Sequence, residues 1–283
     1  MLGTFILWFG WYGFNCGTAI LSDGPRTEEV ASLAAVNTTL AAAAAGMTSL
    51  LVNLFILDRR TGEALFDLKF LMNGTLSGLV AITAGCGVME PWAAVLTGSV
   101  AGLIYIAGTN GLVSLRLDDA VDAIPVHFLN GAWGLISVGL LASPRKLLVA
   151  YGRNDHPGLV YSWEQGQTDA TLLGTQLVGL LFIVGWVFVI MFPFFIWLDW
   201  KGWFRADALE EIVGLDTSYH GGLALLADDV GGVNPEYISA FKQKKQEKLM
   251  SRNPRIAVSD TLVGDSVAAH DDHSDHNGDL PSP

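Results

Sequence analysis

The sequence predicts an all-α, polytopic membrane protein with about six transmembrane helices. Only 16% of its 283 residues are charged, whereas about 25% are charged in an ordinary soluble domain. A helix needs about 20 predominantly apolar residues to cross a bilayer. Six stretches contain no Asp, Glu, Lys or Arg: residues 1–22, 31–57, 70–89, 91–115, 123–144 and 170–198. Because these runs are unbroken rather than alternating, they exclude a β-barrel.

The boundaries of the helices follow from these runs. We place the spans at 2–21, 31–57, 70–89, 91–115, 121–143 and 170–198. Glu90-Pro91 predicts a very short turn between the third and fourth spans, since proline suits the first turn of a helix. A longer loop of mixed polarity, Pro144 through Asp169, precedes the last span. The transmembrane domain is therefore expected to occupy residues 1–200.

The residues after this domain are polar. We expect a cytoplasmic regulatory segment at 201–235 and a disordered tail at 236–283, since the tail has few apolar and many charged residues. Placing the tail inside the cell puts six of the Lys and Arg residues near the spans on the cytoplasmic side and four outside, as the positive-inside rule favours. The sequence lacks the basic pattern typical of nucleic-acid binding. The apolar spans are expected to contact membrane lipid.

His127 is the most informative single position. It lies about five residues inside the fifth span, where an ionisable side chain is costly and indicates function by default. The sequence has no carboxylate or histidine three or four residues away, so the ring has no partner on its own helix. A desolvated imidazole should stay neutral, with one donor and one acceptor nitrogen. Two interpretations stay open: a structural hydrogen bond to a neighbouring helix, or a lining for an uncharged guest or a proton relay.

Aromatic side chains crowd the first span. They are Trp8, Phe9, Trp11, Tyr12 and Phe14. Aromatic belts at membrane interfaces explain such a cluster. The alternative is a mouth that binds small cations on its ring faces, with Thr18 one turn beyond Phe14 on the same face.

The chain starts abruptly. Met1 is followed at once by LGTFILWFGWYGF, without a polar flank, whereas a first membrane helix usually carries an anchoring or orienting segment. The start also lacks the basic region and the cleavage site of a signal peptide. We therefore expect this chain to be the C-terminal part of a larger protein.

Five motifs resemble the ammonium transporter (Amt/Mep/Rh) family, and most closely its plant and algal Amt members. They are GTFILWFGWYGFNCGT (3–18), AAVNTTLAAAAAG (34–46), NGTLSGLVAITAGCGVMEPWAA (73–94), DDAVDAIPVHFLNGAWG (118–134) and GLDTSYHGG (214–222). The resemblance implies an eleven-helix fold of two inverted five-helix repeats plus a last helix. This chain would carry the second repeat and the last helix, spans six to eleven, without the first repeat.

The resemblance also implies a substrate pathway through Phe14, Thr18, Thr83 and His127. Phe14 matches a phenylalanine that obstructs the outer end of the pore, and Thr18 matches a vestibule serine that hydrogen-bonds the arriving ammonium. His127 matches the second of two histidines that touch across a hydrophobic channel, and Thr83 matches a threonine beside it. Ammonium would give up its proton at the vestibule, and ammonia would pass the histidines.

Further residues are implied to support or regulate the pore. Asp119 corresponds to an aspartate related by the pseudo-twofold axis to one in the first repeat, and Trp11 and Asn15 fall in the first motif as pore-supporting residues. Ser218 stands near a tail threonine whose phosphorylation is thought to close the pores of plant members.

The resemblance defines the expected partners. The substrate would be ammonium or ammonia, with methylammonium as an analogue. The subunits would form a homotrimer, or a heterotrimer with related subunits, in the plasma membrane with a cytoplasmic C-terminus, and a kinase would act on the tail. No enzymatic activity, cofactor, metal or nucleic acid is implied.

Departures from the family pattern keep an alternative open. Phe128 replaces a small residue after the histidine, Ala120 replaces a proline, and Tyr219 replaces an arginine of the tail motif. These changes motivate the alternative of a membrane sensor or regulatory subunit that keeps the fold without transporting.

Overall fold

The computed structural model describes residues 1–21, 26–61 and 66–215, together with 240 and 243. Its helices are α1 (Leu2–Gly17), α2 (Thr27–Thr61), α3 (Leu68–Thr83), α4 (Pro91–Leu115), α5 (Asn130–Leu141), α6 (Pro144–Tyr151), α7 (Leu159–Glu164), α8 (Thr171–Trp200) and α9 (Ala208–Val213). A 3-10 turn, Thr18–Leu21, follows α1, and a π-helix, Ile124–Leu129, leads into α5. The chain divides into two compact units, Met1–Val189 and Ile190–Pro283.

Several of these helices suit a bilayer. Among the described residues, four helical segments are long and apolar enough to cross a membrane: Thr27–Ile56, Pro91–Leu115, Ile124–Leu141 and Thr171–Trp200. Leu68–Thr83 is apolar but shorter, and α1 has 16 residues. The prediction of an all-α, multi-pass membrane protein is confirmed.

The helix ends differ in detail from the expected spans. The helix expected over 70–89 stops at Thr83, because tight turns follow in which Gly85 N donates to Ile82 O and Met89 N donates to Gly85 O, each at 3.0 Å. The loop expected over 144–169 contains α6 and α7. Pro144 occupies the first turn of α6, as proline favours.

Small residues bring three helices together. α2 contacts both α3 and α4. A Cβ atom added at Gly78 in α3 or at Gly98 in α4 would overlap the backbone of Ala41, and one at Gly102 would lie 2.6 Å from Ala45 O. Ala41 and Ala45 are fully buried. Close backbone approach of this kind is the usual role of small residues between membrane helices.

The breaks between helices are held by hydrogen bonds at one end of α3. Asn37 Nδ2, on α2, donates to Cys86 O and Met89 O, both at 2.8 Å. Ser143 N donates to Val88 O at 2.9 Å, and so joins the break after α3 to the break after α5. These bonds satisfy carbonyl groups that the interrupted helices leave free.

The described part of the second unit contains the end of α8, an aromatic turn and α9. Trp197 and Trp203 meet edge to face at 6.0 Å between ring centroids, and Phe195 lies 5.4 Å from Phe204. Arg205 donates two hydrogen bonds to the Glu211 carboxylate, at 2.7 and 3.1 Å.

Candidate functional site

A cavity of about 220 Å³ lies beside the C-terminal end of α1. Residues from α1, α2 and α6 and from the break after α3 line it. Asn15, Thr18 and Thr83, three of the residues singled out from the sequence, are among them. None of the described residues in the lining is Asp, Glu, Lys or Arg. The site therefore acts on a guest through dipoles rather than through a fixed charge.

The orientation of the Asn15 amide is determined by its neighbours. Asn15 Nδ2 donates to Thr38 Oγ1 at 2.9 Å, and the Thr38 hydroxyl donates to Ala34 O at 2.6 Å. Because the single hydroxyl hydrogen of Thr38 is already used, the Asn15 atom that faces it must be the donor nitrogen. Asn15 Oδ1 is then a buried acceptor without a hydrogen-bond partner among the described residues, which is costly unless a donor arrives.

The two threonines of the cavity also present acceptors. Thr18 Oγ1 donates to Asn15 O at 2.7 Å. Thr83 Oγ1 donates to Leu79 O at 2.8 Å and accepts from Trp11 Nε1 at 2.9 Å. Since both hydroxyl hydrogens are committed to backbone carbonyls, the remaining lone pairs are what these side chains offer. The arrangement suits a guest rich in N–H donors.

Trp11 links the cavity to the aromatic face of α1. Its indole nitrogen bonds Thr83, and its ring lies 5.8 Å from the Phe14 ring, tilted by 59°. Phe14 is 57% exposed. Trp11 thus lies between a threonine of the cavity and the phenylalanine predicted to obstruct the pore, and its pore-supporting role stays a prediction.

His127 lies away from this cavity, in the π-helix. Pro125 and Val126 are buried, and Val126 packs with Tyr105 in one apolar cluster. The side chains of His127 and Phe128 are exposed, and no hydrogen bond of the His127 ring is found within the described part of the chain. We expected a desolvated imidazole. Within this chain the ring lies on the exposed face of the segment, because the opposite face packs on the core, and its desolvation stays a prediction.

Two aspartates hold the start of this segment. The Asp119 carboxylate accepts hydrogen bonds from Ala123 N and Ile124 N, both at 2.8 Å, which caps the first turn. Asp122 is 4% exposed, and its Oδ2 lies 2.9 Å from Lys69 Nζ. No role was predicted for Asp122 from the sequence. Two features of the sequence could have indicated this ion pair: Asp122 is an acid just inside the predicted fifth span, and Lys69 is a base just before the third.

A second cavity, of about 500 Å³, lies between the loop 152–156 and the start of α8. Within this loop region Asp169 Oδ1 accepts from Thr171 N at 2.9 Å, and Asp169 Oδ2 lies 2.7 Å from His156 Nδ1. Hydrogen bonds from Thr171 and from His156 lower the pKa of Asp169 from 3.8 to about 2. The carboxylate therefore stays ionised and caps α8.

Ser218 lies outside the described residues. Among the residues that the structure does describe, no group of three or more His, Cys, Asp and Glu could hold a metal ion.

The long apolar helices define a helical, multi-pass membrane protein. The family model described as Ammonium Transporter Family matches residues 1–225, and the chain belongs to that family. Members of the family are transporters rather than enzymes.

Curated relatives and a solved structure agree with this assignment. The chain is 37% identical over 251 residues to ammonium transporter 1 member 2 of rice, Oryza sativa subsp. japonica, covering 86% of this chain and 49% of that protein. It is 39% identical to ammonium transporter 1 member 3 of tomato, Solanum lycopersicum, covering 79% and 49%. Candida albicans Mep2 superposes with a TM-score of 0.61 at 31% identity, covering 83% of this chain and 48% of Mep2. The chain spans about half the length of the relatives it matches.

Proposed function

We propose that a protein carrying this chain transports ammonium across the plasma membrane. Ammonium binds at the α1 cavity and loses a proton, and ammonia then passes along a hydrophobic route lined by His127. The observation that carries the proposal is the uncharged cavity at which Asn15, Thr18 and Thr83 supply hydrogen-bond acceptors. In this proposal the C-terminus is cytoplasmic, and the subunits form a homotrimer or a heterotrimer with related subunits.

The chemistry of the cavity matches the substrate. Ammonium carries four N–H donors, and the acceptor atoms of Thr18 and Thr83 have no hydrogen left to donate to it. The nearby aromatic faces of Trp11 and Phe14 attract a small cation. Binding here needs no fixed negative charge, so a cation can be recruited without being trapped.

The charge must be lost before the substrate goes further. Moving a bare cation into a dry, apolar passage costs more than binding returns, because isolated charges are penalised heavily in a low dielectric. Ammonium avoids this cost by releasing its proton to solvent water at the cavity, so that only neutral ammonia moves further. Potassium ion, which is similar in size, has no proton to release and is therefore excluded.

His127 is proposed to form hydrogen bonds with ammonia, the neutral form of the substrate. Its exposed side chain is free to line a passage that further helices complete, and no carboxylate among the described residues makes an ion pair with it. A neutral imidazole offers one donor and one acceptor to ammonia without adding charge. Regulation is proposed to act through phosphorylation of Ser218 by a kinase.

Uptake by a chimera tests the proposal. The N-terminal half of the rice relative is joined to this chain and expressed in yeast that lacks its own ammonium transporters. We expect uptake of radiolabelled methylammonium, and we expect His127→Ala to abolish it or to admit potassium. His156→Ala, in the outer loop, is the control and should leave uptake and selectivity unchanged.

The outcomes separate the alternatives. Unchanged transport and selectivity in the His127→Ala chimera would remove His127 from the pathway. A chimera that reaches the membrane, carries no flux and binds a partner only when ammonium is present would instead be the sensor considered above.

A further inference from the structure

We infer that Asp122 is a positioning residue, which sets the place of the π-helix carrying His127 through an ionic clamp on its buried carboxylate. We call Lys69, Asn73, Tyr105 and Asp122 the Asp122 clamp. The inference rests on the proposed function only for its effect on transport, because the position of the π-helix can be measured by itself.

Three donors converge on one oxygen of the clamp. Asp122 Oδ2 lies 2.9 Å from Lys69 Nζ, accepts from Tyr105 OH at 2.9 Å and accepts from Asn73 Nδ2 at 3.0 Å. Lys69 and Asn73 are four residues apart and so lie on one face of α3, whereas Tyr105 is on α4. The carboxylate is thereby tied to the two helices against which the π-helix packs.

The backbone of Asp122 connects the anchored side chain directly to the π-helix. Val126 N donates to Asp122 O at 3.0 Å, so the helical hydrogen bonds start at the anchored residue. Asp122 has a φ angle of 56°, which is uncommon for a residue other than glycine and needs support from its surroundings. The three hydrogen bonds to its side chain supply that support.

The hydrogen bonds within the π-helix do not by themselves determine which of its residues face the core, so contacts with other helices must do so. A π-helix is a rare and weakly favoured conformation, frequent at functional sites. Pro125 lacks an N–H, and Pro125 O accepts from the side chain of Asn130 at 2.8 Å rather than relying on the backbone alone. Neighbouring residues of a helix point about 100° apart. A shift by one residue would therefore exchange buried Val126 with exposed His127.

Asp119 acts differently from Asp122. Within the part of the chain that the structure describes, its carboxylate accepts from backbone N–H groups of the same segment, at Ala123 and Ile124. It can stabilise the first turn but cannot determine where that turn lies against α3 and α4. Asp122, in contrast, has side-chain hydrogen bonds to both helices.

Pulsed electron paramagnetic resonance on this chain in lipid nanodiscs tests the clamp. Spin labels are attached to Phe128→Cys and Trp92→Cys, at two exposed positions, after Cys16→Ala and Cys86→Ala remove the native thiols. We expect one narrow distance in the parent. Asp122→Asn and Lys69→Met should replace it with a shifted or broader distribution. Lys69→Arg should restore the narrow distance, and Glu164→Gln, an exposed acid on α7, should not change it.

A distance unchanged in both Asp122→Asn and Lys69→Met would overturn the inference. If Asp122→Asn fails to insert, Tyr105→Phe removes one donor, and a distance unaltered by that change and by Lys69→Met has the same meaning. Loss of helicity in Lys69→Met without rescue by Lys69→Arg would also overturn it, because the residues would then act on stability alone.

The transport chimera separates this inference from the proposed function. We expect Asp122→Asn to lower methylammonium uptake at an equal level of protein in the membrane. A shifted distance with normal uptake would contradict the role of His127 while supporting the clamp. An unshifted distance with normal uptake would contradict the clamp and leave the proposed function standing.

Discussion

Trp11 Nε1 donates a hydrogen bond to Thr83 Oγ1 across 2.9 Å, and this bond joins α1 to α3 beside the cavity. The same N–H lies 3.1 Å from Leu79 O. Thr83 is available as an acceptor because its own hydrogen goes to Leu79 O. Thr83 therefore orients an aromatic ring in addition to lining the cavity, and the ring that it orients contacts Phe14.

Removing the indole N–H should disturb this arrangement. Trp11→Phe keeps an apolar ring but loses the hydrogen bond, so we expect a loss of about 0.5–1.5 kcal/mol in the free energy of unfolding and lower methylammonium uptake by the chimera. Thermal unfolding in detergent micelles and uptake are the two measurements. Trp163→Phe, at an exposed position of α7, is the control. Equal effects of both substitutions would show that the hydrogen bond is not the cause.

The amide of Asn15 should depend on Thr38. Thr38→Val leaves Asn15 Nδ2 without its acceptor in a buried site, and an unpaired buried donor costs about 1–3 kcal/mol. Thr39→Val is the control in the next position, since the Thr39 bond to Tyr12 is exposed, and surface changes usually stay within about 0.5 kcal/mol. Chemical unfolding in micelles compares the two. The prediction is wrong if Thr39→Val destabilises as much as Thr38→Val.

Helix packing at Gly98 should tolerate no side chain. Gly98→Ala places a methyl group on the backbone of Ala41, and overpacking of this kind costs about 1–3 kcal/mol. Gly111→Ala in the same helix meets no atom within 4 Å and should be neutral or stabilising by up to about 1 kcal/mol. Thermal unfolding of both variants measures the difference. Similar unfolding temperatures would contradict the close contact between α2 and α4.

The cap of α8 should depend on pH through Asp169. The pKa of its carboxyl group in the folded chain is about 2, below the ordinary 3.8. A lowered pKa means that the contribution to stability is fully present above the ordinary value and is lost as the pH falls through the folded value. We therefore expect the cap to weaken between about pH 4 and pH 2.

Hydrogen exchange of the Thr171 amide measures this cap, since that N–H bonds Asp169 Oδ1. Protection should fall across the acidic range, after correction for the intrinsic exchange rate. Asp169→Asn should remove the pH dependence, and Asp155→Asn, a nearby acid of the same loop, should retain it. Protection that stays constant in the parent chain would refute the prediction.

Much of the fold could be predicted from the sequence, because hydropathy and charge are local properties. Unbroken apolar runs indicated the helices. The interruption after Thr83 and the π-helix before α5 were missed. Both depend on which backbone groups find partners elsewhere, such as Asn37 donating to Met89 O, and no local pattern records that.

The candidate site, too, could be predicted only in part from the sequence. The sequence determined which residue types could bind a small cation or a neutral guest; it singled out His127 and Thr18, and the family resemblance of its motifs added Asn15 and Thr83. Only the tertiary structure decided that the last three share one cavity while His127 lies on a separate face, and that Asp122 is anchored to Lys69. The physical reason is that such partners lie far apart along the chain, 72 residues for Trp11 and Thr83. Their meeting depends on how the helices pack.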